Sequence, residues 1–287
     1  VYKFPVTRQS MKKYDDHQSS SYDVEHCGWS NLPEDDWLWH NDKSWAIGEF
    51  VWTGFDYIGE PTPYSWPSRS SYFGIVDLCG FPKDCYYMYR SEWTDEPTLH
   101  LFPHWNWNEG DKVDMWVYYN TADEVELFVN GRSLGKSSKT ENRLHALWEG
   151  VEFEAGEITA IGYKDGVEVL RHTRKTAGEP AKITLTADRK TITADGYDLS
   201  YITIDCTDAE GNFMPTAMNQ LYFNVNGAGE LVGVDNGNAA GTESLKGNKM
   251  KLFNGKALAI IRSLRGKSGE ITLTVTGDGL EPNAITI

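Results

Sequence analysis

The sequence predicts a mostly β protein: the end of a (β/α)8 barrel, comprising its final strand and helix, followed by two β-sandwich domains of immunoglobulin-like or jelly-roll type. Two patterns support this fold class. A short apolar run leads into a loop of aromatic and acidic residues, as at the mouth of such a barrel. After residue 98 the pattern changes to short alternating stretches separated by turn residues, which is typical of sandwiches. All eleven tryptophans lie between residues 29 and 148, so the composition changes along the chain as well.

The predicted barrel end occupies residues 1–93. Its strand spans residues 44–52, where a nearly continuous apolar run indicates burial on both faces. A loop begins at Gly54, and loops at the C-terminal ends of barrel strands build active sites. Residues 83–93 carry apolar side chains on one side and predict the final helix of the barrel.

Residues 94–178 predict the first sandwich and residues 179–287 the second, with a linker at 177–180. Asn130-Gly131 and Lys164-Asp165-Gly166 predict two tight turns between strands. The strands predicted in the first sandwich are 112–119, 125–129, 156–163 and 167–172. Those predicted in the second are 183–187, 199–206, 221–225, 257–263 and 270–276.

The bulk properties exclude several classes of function. The net charge is −15 and no basic patch stands out, which argues against a nucleic-acid partner. No apolar run reaches the ~18–20 residues of a membrane span, and no signal peptide is visible. The four cysteines and the histidines lack metal-site spacing, so we expect no metal and no cofactor.

Two further expectations concern the cysteines and the start of the chain. Four mostly buried thiols are one interpretation of the cysteines, and a Cys79–Cys85 disulfide in an oxidising compartment is the other. Because the chain begins at Val1 within sequence that has the character of a folded domain, we expect a piece of a longer protein.

Four segments in fixed order carry a resemblance to a known family: GEFVWTGFDYIGEP at 48–61, RSSYFGIVD at 69–77, GFPKD at 80–84 and PHWNW at 103–107. They resemble the last barrel strand and the segments that follow it in family 2 glycoside hydrolases, the β-galactosidase and β-glucuronidase group. The resemblance implies the C-terminal part of a retaining, β-galactosidase-like exo-β-glycosidase that acts on terminal β-linked sugars.

Hydrolysis of a glycosidic bond with retention uses two carboxylates ~5–5.5 Å apart. Glu49, Asp56 and Glu60 come from a single position in the barrel, whereas the chemistry places its two carboxylates on opposite sides of the sugar. In the resembled family both glutamates lie earlier, at the ends of the fourth and seventh strands. The resemblance therefore implies that this chain contains no catalytic residue and is inactive alone.

The candidate substrate-binding residues are Trp52, Asp56, Glu60, His104 and Trp105. An indole offers a large flat surface to the C–H face of a sugar, and the resemblance places position 52 in the sugar pocket. A core tryptophan at the top of the barrel is the alternative for Trp52. Asp56 and Glu60 occupy the loop that faces the barrel mouth. His104 and Trp105 either form a wall of the cleft or, as alternating aromatics usually do, fill a core.

A second hypothesis comes from a different class: a non-catalytic carbohydrate-binding or adhesion module whose sandwiches present aromatic side chains to sugars. The tryptophans between residues 105 and 148 are compatible with it. Upstream sequence that encodes further barrel strands and two glutamates would separate the two hypotheses. A carbohydrate is the expected partner, and we expect a periplasmic or extracellular location.

Overall fold

The computed structural model describes residues 1–287, which form two compact units, Val1–Thr176 and Ala177–Ile287. Strands far outnumber helices in the chain, which confirms the mostly β fold class. Residues 1–93 and 94–176 belong to the same compact unit. The division of that unit into a barrel end and a sandwich stays a prediction.

The first unit contains two helices and nine strands: α1 (Pro33–His40), α2 (Asp84–Trp93), β1 (Gln9–Ser10), β2 (Glu25–His26), β3 (Leu99–Phe102), β4 (Lys112–Tyr119), β5 (Glu124–Val129), β6 (Arg132–Ser137), β7 (His145–Glu152), β8 (Glu157–Lys164) and β9 (Val167–Lys175). The second unit contains eight strands: β10 (Lys182–Ala187), β11 (Leu199–Thr207), β12 (Gln220–Gly227), β13 (Gly229–Asp235), β14 (Lys249–Lys251), β15 (Lys256–Ser263), β16 (Ile271–Gly277) and β17 (Leu280–Thr286).

Two sheets form a sandwich in the first unit, with strand orders β3-β4-β7 and β6-β5-β8-β9. Residues of β5 alternate between half-buried and buried, because only one face of its sheet meets the core. The turns at Asn130-Gly131 and Asp165-Gly166 have positive φ at both residues, as the type I′ turns of two-residue hairpins require. Both predicted turns are therefore confirmed. The core between the sheets contains Leu101, Trp105, Val113, Met115, Val117, Tyr119, Val125, Leu127, Val129, Ile158 and Ala160.

The three-stranded sheet is buried on both faces. In β4, Met115 and Val117 belong to the sandwich core, whereas Trp116 and Tyr118 belong to a separate cluster on the other face. The N-terminal segment and α2 complete this second cluster, in which Met88 is fully buried. Helix α2 confirms the helix predicted over 83–93, and its buried side covers this sheet.

Residues 44–52 do not form the predicted strand. Ile47 and Phe50 are fully exposed instead of buried. An interior barrel strand is held by hydrogen bonds to a neighbour on each side, and no strand within residues 1–287 pairs with this segment. The apolar run that indicates burial is therefore uncovered in this structure.

Eight strands form the sheet of the second unit, in the order β13-β15-β11-β10-β17-β16-β12-β14. A short parallel pairing of β10 with β17, at Lys182 and Glu281, joins its two halves. Apolar residues from both halves share one buried core, among them Ile204, Leu221 and Leu273, so the unit is a sandwich. The five predicted strands of this unit are confirmed, whereas β13, β14 and β17 are not among the predictions.

Candidate functional site

Asp56 lies in the loop after Trp52, and only 7% of its surface is exposed. Its Oδ1 accepts hydrogen bonds from the backbone N–H of Gly74 at 2.8 Å and from Ser71 Oγ at 3.3 Å. Its Oδ2 pairs with Lys83 Nζ at 2.7 Å. Because both carboxylate oxygens bind within the protein, Asp56 holds the loop in place and has no free oxygen directed at solvent.

The glycine in the RSSYFGIVD motif lies where the chain around Gly74 passes close to the chain around Asp56. A Cβ on Gly74 would lie 2.2 Å from the backbone nitrogen of Asp56 and 2.4 Å from the carbonyl oxygen of Val76. The segments lie this close because the Asp56 N–H donates to the Val76 carbonyl at 3.0 Å. The motif that carries the family resemblance therefore contains a position where only glycine fits.

Trp52, Tyr57 and Glu60 form a hydrogen-bonded chain. Trp52 Nε1–H donates to Tyr57 Oη at 3.1 Å, and the Tyr57 hydroxyl donates to Glu60 Oε2 at 2.5 Å. The rings of Trp52 and Tyr57 meet edge to face, with centroids 6.0 Å apart. The hydrogen bond to Glu60 raises the pKa of Tyr57. Trp52 remains 67% exposed, so most of its indole is open to solvent.

A turn with a single carboxyl group, that of Asp77, follows at residues 77–81. Asp77 Oδ1 accepts the backbone N–H of Cys79 at 2.8 Å and that of Phe81 at 2.9 Å. Burial raises the pKa of Asp77 to about 6, although both hydrogen bonds and nearby Lys83 favour the charged carboxylate. This turn therefore carries a carboxyl group whose pKa lies well above that of an ordinary aspartate.

Trp105 lies in the core of the sandwich and has no exposed surface. Its Nε1–H donates to the carbonyl of Glu154 at 2.9 Å, and its ring packs against Phe153. Of the two interpretations of Trp105, the structure agrees with a core residue, because a fully buried indole has no face to offer to a ligand.

His104 is half-buried and stacks on Trp107, with ring centroids 4.6 Å apart. Burial lowers the pKa of His104 to about 4, so its imidazole is neutral at pH 7. The structure brings Trp52, Asp56 and Glu60 into one loop. Neither His104 nor Trp105 makes a hydrogen bond or ring contact with these three residues.

Tyr57 is the member of this hydrogen-bonded chain that the sequence pattern does not single out. It lies three residues before Glu60, and the positive φ angles of Gly59 (108°) and Glu60 (46°) turn the chain so that the carboxylate meets the Tyr57 hydroxyl. Gly-Glu-Pro is a turn signal, but a glutamate in the left-handed region is uncommon. The order of residue types along the chain therefore does not predict the hydrogen bond between Tyr57 and Glu60.

Three further properties of the chain bear on the expected chemistry. No group of three or more histidine, cysteine, aspartate or glutamate residues is arranged to hold a metal ion. None of the four cysteines forms a disulfide, so Cys79 and Cys85 are not bonded to each other. The structure contains no helix with the length and apolar character needed to cross a membrane.

The chain is similar to several known proteins. Residues 183–286 match the family model of glycoside hydrolase family 2 C-terminal domain 5, and residues 110–170 match a domain of unknown function. Beta-galactosidase BoGH2A of Bacteroides ovatus is 52% identical, over 93% of this chain and 31% of that protein. A putative beta-glucuronidase of Formosa agariphila is 34% identical, over 84% of this chain and 24% of that protein. A crystal structure of a beta-glycosidase from Bacteroides vulgatus matches with a TM-score of 0.86 and 36% identity, over 93% of this chain and 34% of that one.

These likenesses define a β-rich chain related to glycoside hydrolases. More specifically, the chain belongs to glycoside hydrolase family 2 and corresponds to a C-terminal portion of its members. It spans about a third of the length of the Bacteroides ovatus relative and about a quarter of the Formosa agariphila relative.

Proposed function

We propose that this chain is the C-terminal part of a retaining exo-β-glycosidase that hydrolyses terminal β-linked sugars, galactosides in particular. The observation that carries the proposal is the 52% identity with a Bacteroides ovatus beta-galactosidase over 93% of the chain. In this proposal the two catalytic glutamates lie upstream of residue 1, and the protein is periplasmic or extracellular.

The geometry of the loop at 52–60 supports a role in sugar binding. Trp52 exposes most of its indole, and the C–H face of a sugar packs well on such a surface. The Glu60 carboxylate lies at the end of the same hydrogen-bonded chain, so in this proposal it bears on the sugar through Tyr57 and the Trp52 indole. Asp56 is unsuited to attack a sugar because Gly74 and Lys83 already bind its oxygens. Retaining chemistry uses two carboxylates on opposite sides of the sugar, and in this proposal both come from upstream of residue 1.

The 287-residue chain alone should not hydrolyse glycosides, because both carboxylates of the two-step mechanism are missing from it in this proposal. The measurement is release of nitrophenol from a nitrophenyl β-galactoside by the purified chain. A mock purification from the same expression host is the control for contaminating enzymes. Turnover by the chain above that control would contradict the proposal.

The protein that includes the upstream sequence should hydrolyse the nitrophenyl β-galactoside, and NMR should show the β-anomer of the sugar as the first product. A nitrophenyl β-glucuronide tests the second candidate substrate, since four of the relatives are named as beta-glucuronidases or putative beta-glucuronidases. Formation of the α-anomer, or turnover of neither compound, would contradict the proposed activity. Sugar binding without any turnover would favour a binding module instead.

A further inference from the structure

The side chain of Trp52 is highly exposed, yet its orientation is fixed by two contacts with one residue. Tyr57 accepts the indole N–H at 3.1 Å and meets the ring edge to face. An exposed tryptophan without such contacts samples several rotamers, and a sugar that stacks on it must restrict them at a cost in affinity. A fixed indole avoids part of that cost.

We propose that Tyr57 is a positioning residue that holds the Trp52 indole in the orientation in which it contacts the sugar, and that Glu60 acts through Tyr57. This inference rests on the proposed function, in which Trp52 is a sugar contact. Tyr57 itself is not required to touch the substrate.

The role of Glu60 follows from the direction of the hydrogen bonds. A phenol that donates to a carboxylate forms a charge-assisted bond, which is stronger than a bond between neutral groups. Donation to Glu60 also polarises the phenol oxygen and makes it a better acceptor for the Trp52 N–H. The raised pKa of Tyr57 agrees with this direction, since the Glu60 carboxylate stabilises the protonated phenol.

The backbone around Glu60 supports the same arrangement. Gly59 N–H donates to the carbonyl of Arg69 at 2.7 Å, and Ile58 forms a β-bridge with Ser70. These contacts hold the turn in which Glu60 adopts its left-handed conformation, with φ of 46°. A non-glycine residue in this region persists where the surrounding structure holds it there. The turn therefore places Glu60 where its carboxylate reaches the Tyr57 hydroxyl.

A first experiment tests the hydrogen bond in the 287-residue chain, with tryptophan labelled by ¹⁵N. The indole N–H signal of Trp52 is assigned as the peak that Trp52→Phe removes. Tyr57→Phe should shift this peak and speed up its exchange with water, and Glu60→Gln should shift it less. Tyr197→Phe is the matched control, because it removes the hydroxyl of another exposed tyrosine in the second unit. A Trp52 peak that does not respond to Tyr57→Phe would overturn the inference.

A second experiment measures kinetics in the protein with its upstream sequence. Tyr57→Phe should lower kcat/KM by about 3- to 15-fold, mostly through a higher KM, because one hydrogen bond is lost. Glu60→Gln should lower it less, and the double variant should resemble Tyr57→Phe alone, because Glu60 acts through Tyr57. Additive losses, or normal kinetics of Tyr57→Phe, would overturn the positioning role. Absence of turnover by the unmodified protein would instead overturn the proposed function.

Discussion

At the scale of single residues, two candidate tryptophans lie in opposite environments. Trp52 is 67% exposed at the edge of its loop, whereas Trp105 is completely buried between two sheets. The segments that carry the family resemblance therefore supply both a candidate ligand surface and an element of the core. Burial separates the two roles, and the order of residue types along the chain does not.

Replacing Trp52 by alanine should separate binding from stability. In the protein with its upstream sequence, Trp52→Ala should lower kcat/KM roughly 30- to 1000-fold, because the sugar loses its flat apolar contact. This factor corresponds to about 2–4 kcal/mol of lost transition-state stabilisation. The melting temperature of the 287-residue chain should hardly change, since the side chain is mostly exposed. Trp39→Ala, at a residue that is 60% exposed in α1, is the matched control. A large fall in melting temperature with near-normal kinetics would return Trp52 to the core.

The pair formed by Asp56 and Lys83 should matter for the stability of the loop. Asp56→Asn keeps an oxygen for the Gly74 N–H but leaves Lys83 without its counter-ion. The free energy of unfolding of the first unit should fall by about 1–3 kcal/mol, less than for a fully buried pair because Lys83 is partly exposed. Urea titration measures this change.

The charge explanation for that loss has its own controls. Asp56→Asn combined with Lys83→Met should recover much of the lost stability, because the double variant leaves no unpaired charge. Asp42→Asn breaks an exposed pair with Lys43 and should have no measurable effect. Equal effects of the Asp56 and Asp42 substitutions would contradict the role of burial.

At the scale of elements, the sequence predicts those strands whose alternation matches one-sided burial. β5 alternates clearly because one of its faces is only half-buried, and the Asn-Gly turn after it is almost diagnostic. β6 (RSLGKS) is an edge strand with mainly exposed residues, so no apolar pattern marks it. The run over 44–52 predicts a strand for the opposite reason: it is nearly continuously apolar, but no strand within residues 1–287 pairs with it.

The candidate site, like the strands, is predicted from the sequence only in part. Motif spacing indicates the loop that contains Trp52 and Glu60. The internal partners of Asp56 and the link through Tyr57 depend on how residues 52–60 lie against residues 69–83. Such contacts across the fold are set by backbone conformation, and a single sequence does not specify them by pattern.

The carboxyl group of Asp77, in the turn at residues 77–81, should make stability depend on pH. The pKa of Asp77 is raised to about 6, above the ~3.9 of an unfolded aspartate, because burial disfavours its charge. Between these values the folded state holds a proton that the unfolded chain releases. The stability contributed by protonated Asp77 is therefore complete below about pH 4 and is lost as the pH rises to about 6.

Asp77→Asn tests this dependence directly. Asparagine keeps an oxygen for the N–H groups of Cys79 and Phe81 but has no charge to bury. The variant should exceed the unmodified chain in free energy of unfolding by about 1–3 kcal/mol at pH 7, and the difference should vanish near pH 4. Urea titrations of both proteins at pH 4, 5.5 and 7 measure it. A difference that does not change with pH would contradict the buried-charge explanation.

At the scale of the whole molecule, the β3-β4-β7 sheet belongs to two cores at once. Its inner face packs in the sandwich, and its outer face packs with α2 and the N-terminal segment. Residues 1–93 are therefore part of the fold around this sheet, because they cover aromatic side chains that would otherwise be exposed to water. The second unit has a core of its own, which draws on both halves of its sheet.

Separately expressed segments should reflect this arrangement. Residues 177–287 should fold alone with a cooperative urea transition, since their core is complete. Residues 98–176 should not fold stably, because removal of residues 1–93 uncovers Phe102, Trp116 and Tyr118. NMR dispersion and binding of a hydrophobic dye measure the outcome, with residues 1–176 as the matched control. If 98–176 unfolded as cooperatively as 1–176 and bound no dye, the outer face of the sheet would not need its cover, and the predicted sandwich at 94–178 would be an independent domain.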